Sequence, residues 1–314
     1  MSNFDLTILI PAYNEEKSIL ELLKSVEKSH LIGIKTEVKV LINGSLDKTL
    51  AIVTNFIRTK KNDSVLWTVS DIKQRGKTKA LNVGLSLSKS EIIINVDADC
   101  QLETNSLAII YTKLKTNKEF LLVGGLDKPD FRYSDKKSLL YQFQIVHQIY
   151  REVRGRVLPV GRLMGYKHSI IENFPQFLHS EDTWLALDIA EKHGWRTVSV
   201  LTDAVVKFSP ALNWLDYIKQ ESRFECGLPQ IMAQFPELEE IYNQRRINIK
   251  QKSKKQIELE IFEKMDILKI PRERWTQMSD IIDSIIVENA QVMKKQLISK
   301  DGNWDPIGST KNEC

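Results

Sequence analysis

No stretch of the 314-residue sequence approaches the roughly 18–20 consecutive apolar residues that a membrane-spanning helix needs. Cysteine is scarce. Cys100, Cys226 and Cys314 are scattered, odd in number and form no CxxC pair, which argues against a disulfide framework and against a zinc site. Cys100 and Cys226 therefore read as small hydrophobes in a reducing compartment. The opening Met1-Ser2-Asn3-Phe4-Asp5 has no basic region ahead of an apolar run, so no secretory signal is expected. Charge of one sign is also short: 45 Lys and Arg stand against 41 Asp and Glu, and a net +4 does not point to nucleic acid. What is present, 42% apolar and 27% charged residues without an internal repeat, is the composition of an ordinary folded protein. A cytoplasmic enzyme without a membrane span is the expectation. The length exceeds the roughly 100–200 residues of one domain, which implies a large domain with an appendage, or two domains.

The first half alternates short apolar runs with segments of helical period. Leu6–Ile10, Val38–Ile42, Val65–Val69 and Glu91–Val96 read as strands. Between them, Asn14–His30, the segment carrying Leu46, Leu50, Val53 and Ile57, and Lys77–Leu87 read as helices. This alternation predicts an α/β fold, a mostly parallel central sheet flanked by helices, with ligand-binding loops along one rim. Ser138–Arg154, Asp182–His193 and Asn213–Phe224 are further helix candidates. Beyond about Pro229 the composition shifts: 237–299 is charged, helical in period and nearly free of Gly and Pro. The expected division is an α/β domain over 1–228 and a helical C-terminal region over 229–314, ending in a polar, frayed tail. Its basic run Lys250-Gln251-Lys252-Ser253-Lys254-Lys255 reads as a solvated face, with contact at the inner surface of a membrane as the alternative.

Chemistry concentrates in a few places. Asp97-Ala98-Asp99 follows the apolar strand Ile92–Val96, so two carboxylates project into the rim where such sheets bind ligands. Hard oxygen donors of this kind suit Mg2+ or Mn2+, which also take oxygens from a substrate phosphate. Arg75-Gly76-Lys77 opens a helix and can receive an anion on its N-terminal amides, although the Walker spacing of a nucleoside-triphosphate loop is absent. The histidines 147, 168 and 179 show no metal-ligand spacing, and Trp184 and Trp195 read as core anchors.

These segments together resemble family-two glycosyltransferases of the GT-A fold. Ile8-Leu9-Ile10-Pro11-Ala12-Tyr13-Asn14-Glu15-Glu16 is similar to that family's first strand and loop, and Asn43-Gly44-Ser45-Leu46-Asp47-Lys48-Thr49 to its second. The Gly76–Leu85 segment, Asp97-Ala98-Asp99, the Glu181-Asp182 pair and Gln220-Glu221-Ser222-Arg223-Phe224 follow in the family's order, with Phe224 where the family has Trp. The resemblance runs from about residue 4 to 228. It implies inverting transfer of a sugar from a nucleotide-sugar donor, a UDP-sugar on family frequency, with a divalent metal held by Asp99 and Asp97. It implies Asp182 as the base that deprotonates the acceptor, with Glu181 orienting it. Pro11, Ala12, Asn14, Glu16, Asn43, Lys77, Asp97, Ala98, Gln220 and Arg223 are the implied donor-binding residues, and Lys207 falls near the implied diphosphate. Asn43 stands where the family often has an acid, and its carbonyl can accept the same base N–H. The alternative reading is a catalytically silent nucleotide-sugar-binding module that uses its C-terminal helices to hold a partner. Retention of both acidic pairs argues against it, and the acceptor class (glycan, lipid, small molecule or peptide) stays open.

Overall fold

A computed structural model of the chain describes residues 4–60, 65–154, 158–248 and 254–273, with the single positions 284 and 288. The first strand, β1 (Leu6–Ala12), is fully buried and sends alternate side chains to opposite faces. Leu6, Ile8 and Ile10 join one apolar core, Leu9 the other. Beside it lie β2 (Thr36–Asn43), β3 (Val65–Ile72) and β4 (Ile92–Val96), all parallel, in the order β3-β2-β1-β4. The sheet continues through β7 (Leu163–Lys167), β6 (Leu122–Pro129), β8 (Val198–Phe208) and β5 (Cys100–Leu102). β7 runs antiparallel to β4 and β6, β6 and β8 are parallel, and β5 is antiparallel to β8. The fold class is that expected: a mixed, mostly parallel sheet with helices on both faces.

One face is covered by α1 (Ile19–Glu27), α2 (Thr49–Arg58) and α4 (Ser106–Thr116), whose Leu22, Val53 and Ile110 pack on Ile8, Val40 and Ile94. The other carries α3 (Lys77–Leu87) and α6 (Glu181–His193), whose Leu81, Leu85 and Leu185 meet Leu9, Leu41 and Ile93. Cys100 and Cys226 are buried and, among the described residues, take part in no disulfide, as expected. Because β1, β2 and β4 are parallel, the loops after Ala12, Asn43 and Val96 lie on one rim, beside the switch in strand order between β1 and β4.

Three boundaries differ from the sequence expectation. The helix expected over Asn14–His30 starts only at Ile19. Residues 14–16 are taken up by hydrogen bonds to the β2–α2 loop instead: Leu46 N–H donates to Asn14 Oδ1 at 2.9 Å, and Glu16 N–H to Asp47 Oδ2 at 3.0 Å. The helix expected over Asn213–Phe224 is α7 (Trp214–Gln234), which continues through Pro229. The division drawn at 228/229 therefore falls inside a helix. Finally, α8 (Leu238–Asn248) lends Leu238 to the core shared by α3 and α6, and Trp195 Nε1–H donates to Ile241 O at 3.1 Å. The first helix of the C-terminal region thus packs into the α/β core. α9 (Lys254–Ile267) packs Ile261 and Met265 against Val146 and Ile149 of α5 (Leu139–Arg154). Most of the basic run at 250–255, the segment 274–299 apart from two positions, and the polar tail lie outside the described residues. Among the described residues no helix is long and apolar enough to cross a membrane.

Candidate active site

The rim opens into a cleft of about 270 Å³ between the ends of β1, β2 and β4, the start of α3, and helices α6 and α7. Pro11, Asn43, Lys77, Asp97, Ala98, Asp99, Glu181, Asp182, Gln220 and Arg223 all line it. Residues separated by more than 140 positions are thus gathered in one place. Asp97 and Asp99 emerge where β4 ends, and the Asp97 N–H is fixed by Arg162 O at 3.2 Å.

Gly76 lets the chain turn sharply into α3. Its φ of +138° is open to glycine, and a side chain there would be strained. Lys77, the first residue of that helix, reaches across the cleft. Its Nζ lies 2.6 Å from Asp97 Oδ1 and 2.6 Å from Glu181 Oε1. Burial works against the Lys77 charge, but the Asp97 and Glu181 carboxylates outweigh it and push its pKa above the usual lysine range. Glu181 is 5% exposed, and burial, helped by Asp182 and Asp97, raises its pKa against the pull of Lys77.

Asp182 is held differently. Its Oδ2 accepts the Gly161 N–H at 2.6 Å and its Oδ1 the Thr183 N–H at 2.8 Å. The Thr183 amide belongs to Asp182's own helix, and the Gly161 amide comes from the loop before β7. A Cβ on Gly161 would sit 3.2 Å from the Asp182 carboxylate, so this close approach suits glycine. Glu181, expected to orient Asp182, makes its ion pair with Lys77 instead.

On the far wall, α7 presents Gln220, Arg223 and Phe224. The Phe224 ring centre lies 5.8 Å from the Arg151 guanidinium, 5.9 Å from that of Arg162 and 5.5 Å from that of Arg223. Arg151 is paired with Glu221 at 2.6 Å and Arg162 with buried Asp127 at 2.7 Å. Arg223 has its Nε buried without a hydrogen-bond partner. Arg162 and Arg223 both line the cleft.

Some expectations move. Ala12, Asn14 and Glu16 are not among the cleft-lining residues: Ala12 is 1% exposed, and Asn14 and Glu16 tie two loops together. Tyr13 and Glu15 face the cleft in their place. Lys207 pairs with Glu103 at 3.3 Å, away from the cleft. His179 does line it, and burial with the nearby Arg223 lowers its pKa to about 4. His147 is engaged by the Tyr217 hydroxyl at 2.5 Å, and Trp184 is a core residue. Arg162 and Phe177, which the sequence reading passed over, both line the cleft. Arg162 carries no motif spacing, and only the placement of Asp127 on β6 explains it.

No group of three His, Cys, Asp or Glu suited to a metal ion occurs among the described residues. Asp99 and the Asp97 oxygen left over from Lys77 are nonetheless two hard oxygen donors in one cleft. That set suits Mg2+ or Mn2+, which keep water and substrate phosphate in their remaining positions.

The sequence matches the family model described as glycosyl transferase family 2 over residues 7–172. It is 26% identical over 224 residues to the poly-β-1,6-N-acetyl-D-glucosamine synthase of Staphylococcus epidermidis, covering 71% of this chain and 49% of that protein. The chain thus spans about half the length of the curated relatives it matches first. Among solved structures, a Pyrobaculum calidifontis mannosyltransferase in complex with GDP-Man and Mn2+ superposes with a TM-score of 0.66 at 19% identity, covering 95% of this chain and 88% of that one. Staphylococcus aureus TarS in complex with UDP-GlcNAc gives 0.50 at 18% identity, covering 92% and 83%. At these identities the superpositions speak to the fold, which is that of GT-A glycosyltransferases.

Proposed function

The chain belongs to glycosyl transferase family 2, and on that premise we propose that it moves a sugar from a nucleotide-sugar donor to an acceptor nucleophile with inversion at the anomeric carbon. The observation that carries this reading is the convergence of Asp97 and Asp99 with Glu181 and Asp182 in one cleft, with Lys77 bridging the two acidic pairs.

In this reading the donor lies with its base toward Asn43 and Tyr13, where the Asn43 carbonyl accepts a base N–H. A UDP-sugar is the first donor to test, on family frequency; uracil offers such an N–H, as thymine and guanine also do. Its diphosphate faces the start of α3 and Arg223, which receive the negative charge that grows as the glycosidic bond breaks. Asp99 and Asp97 would hold a divalent metal, which would supply Lewis acidity toward the same leaving group. Asp182 accepts the proton of the acceptor hydroxyl as its oxygen attacks C1 from the face opposite the leaving diphosphate. The two backbone N–H groups on its carboxylate fix its direction, so the proton is received without reorienting the side chain. Lys77 holds Asp97 and Glu181 at a fixed separation and offsets their mutual repulsion.

The test is hydrolysis of a panel of UDP-, GDP- and dTDP-sugars with Mn2+ or Mg2+, measured by release of nucleoside diphosphate. Metal-stimulated turnover of one nucleotide class supports the reading. Binding of nucleoside diphosphate without turnover of any donor would favour the silent-module alternative.

A further inference from the structure

Residues 171–180, between β7 and the Glu181-Asp182 pair, form an irregular loop held by two side-chain amides. Asn82 of α3 brackets Phe174: Asn82 Nδ2–H donates to Phe174 O at 2.9 Å, and Phe174 N–H donates to Asn82 Oδ1 at 2.7 Å. Gln230 of α7 brackets the next turn: its Nε2–H donates to Phe177 O at 2.8 Å, and its Oε1 accepts His179 N–H at 2.9 Å. Between those bonds Phe177 sits at φ +63°. Bulky L residues rarely adopt that region, and they keep it only where surrounding bonds impose it.

The outcome of that effort is an aromatic ring facing outward. Leu178 beside it is buried in the core, whereas Phe177 is 40% exposed and lines the same cleft as Asp182. Folding alone gives no reason to hold a phenyl ring in water on a left-handed residue, when a glycine or asparagine would take the turn without strain. The Lys79 ammonium lies over the ring, 5.3 Å from its centre.

We propose that Phe177 is a stacking platform for a pyranose ring of the acceptor, and hence that the acceptor is a saccharide. This rests on the glycosyltransfer reading of the cleft. A pyranose has one face of C–H bonds, apolar and weakly positive, which matches the negative face of a phenyl ring. Its rim of hydroxyls would meet Lys79 and the polar cleft wall. A hydrocarbon chain would gain nothing from that ammonium, and a flat peptide surface would not need an isolated ring. The platform lies five positions before Asp182 and on the same cleft, so a sugar stacked there can present a hydroxyl to the base.

The experiment uses the full chain saturated with UDP and Mn2+ and probed by saturation-transfer NMR. The probes are the methyl β-glycosides of glucose, N-acetylglucosamine, mannose and galactose, with cellobiose and chitobiose. At least one saccharide should receive saturation, concentrated on the C–H bonds of one ring face. Phe177→Ala should weaken it about three- to tenfold, the worth of one aromatic contact, and Phe177→Trp should retain it. UDP affinity by calorimetry should be the same in all three proteins, which also reports that the variants fold. Should Phe177→Ala lose UDP, Phe177→Leu, which keeps apolar bulk without the ring, is read in the same way. A wild-type UDP complex that takes up none of the saccharides, or a ring-less variant that binds them as wild type does, overturns the proposal. Absence of nucleoside diphosphate binding in wild type is a different result, and it would remove the donor reading beneath it.

Discussion

Gly161 donates its backbone N–H to Asp182 at 2.6 Å, so the side chain proposed as the base is steered by the loop before β7 as well as by its own helix. A residue that merely capped α6 would need only the Thr183 amide. Replacement of Asp182 by Asn tests the difference. The Asn amide cannot take a proton at neutral pH, and its NH2 must face one of two N–H groups, costing about 1–3 kcal/mol of stability. kcat should fall by roughly 10²–10⁴, with UDP affinity nearly unchanged. Transfer within a few-fold of wild type would send the proton elsewhere.

Asp99→Ala should remove metal-supported nucleotide binding and leave the fold intact. Asp99 lines the cleft and lies outside the Lys77 bridge, so its loss breaks no ion pair in that bridge. Calorimetry of UDP with and without Mn2+ should show a metal-dependent gain in wild type and none in the variant. Equal binding with and without metal in wild type would remove the metal role.

His147 predicts an acid limb in stability. Burial, aided by Arg151 and opposed by Glu221, lowers its pKa from 6.5 to about 4. The folded state therefore favours the neutral ring, and its contribution is complete above pH 6.5 and lost as pH falls toward 4. The slope in that window is at most about 1.4 kcal/mol per pH unit. Urea unfolding of wild type and His147→Gln between pH 4.5 and 7 should show a steeper loss in wild type. Parallel curves would show that the ring takes up no proton on unfolding.

A chain ending at residue 235 should unfold at a markedly lower temperature. It loses Leu238, 3% exposed, and the Trp195–Ile241 hydrogen bond. Burial of one such leucine is worth about 2–3 kcal/mol. A melting temperature equal to that of the full chain would make α8 dispensable to the core.

The regular half of the fold is legible because its signals are local. Lys77–Leu87 is a helix with the bounds expected, since Gly76 opens it and its apolar period is unbroken. The start of α1 is not legible, because Asn14 and Glu16 are claimed by the β2–α2 loop, a tertiary contact that no periodicity records. Pro229 suggested a boundary, yet α7 passes through it, held by Ile231 in the core below. In the cleft, the strand-to-loop pattern pointed to Asp97 and Asp99, and the resemblance to family-two glycosyltransferases added Glu181, Asp182, Gln220 and Arg223 as residues that would meet. Arg162 with Asp127, and Phe177 with Gln230, were hidden because each pair joins segments 35 or more positions apart and repeats no pattern.

Inverting sugar transfer in this cleft is decided by proton NMR of the sugar that the full chain with Mn2+ releases from a UDP-α-sugar. Water then takes the acceptor's place, and attack from the Asp182 side should give the β anomer first, with the α anomer growing in only as the free sugar mutarotates. An α anomer at the earliest times, or no enzyme-dependent release from any donor of the panel, would rule out inverting transfer here.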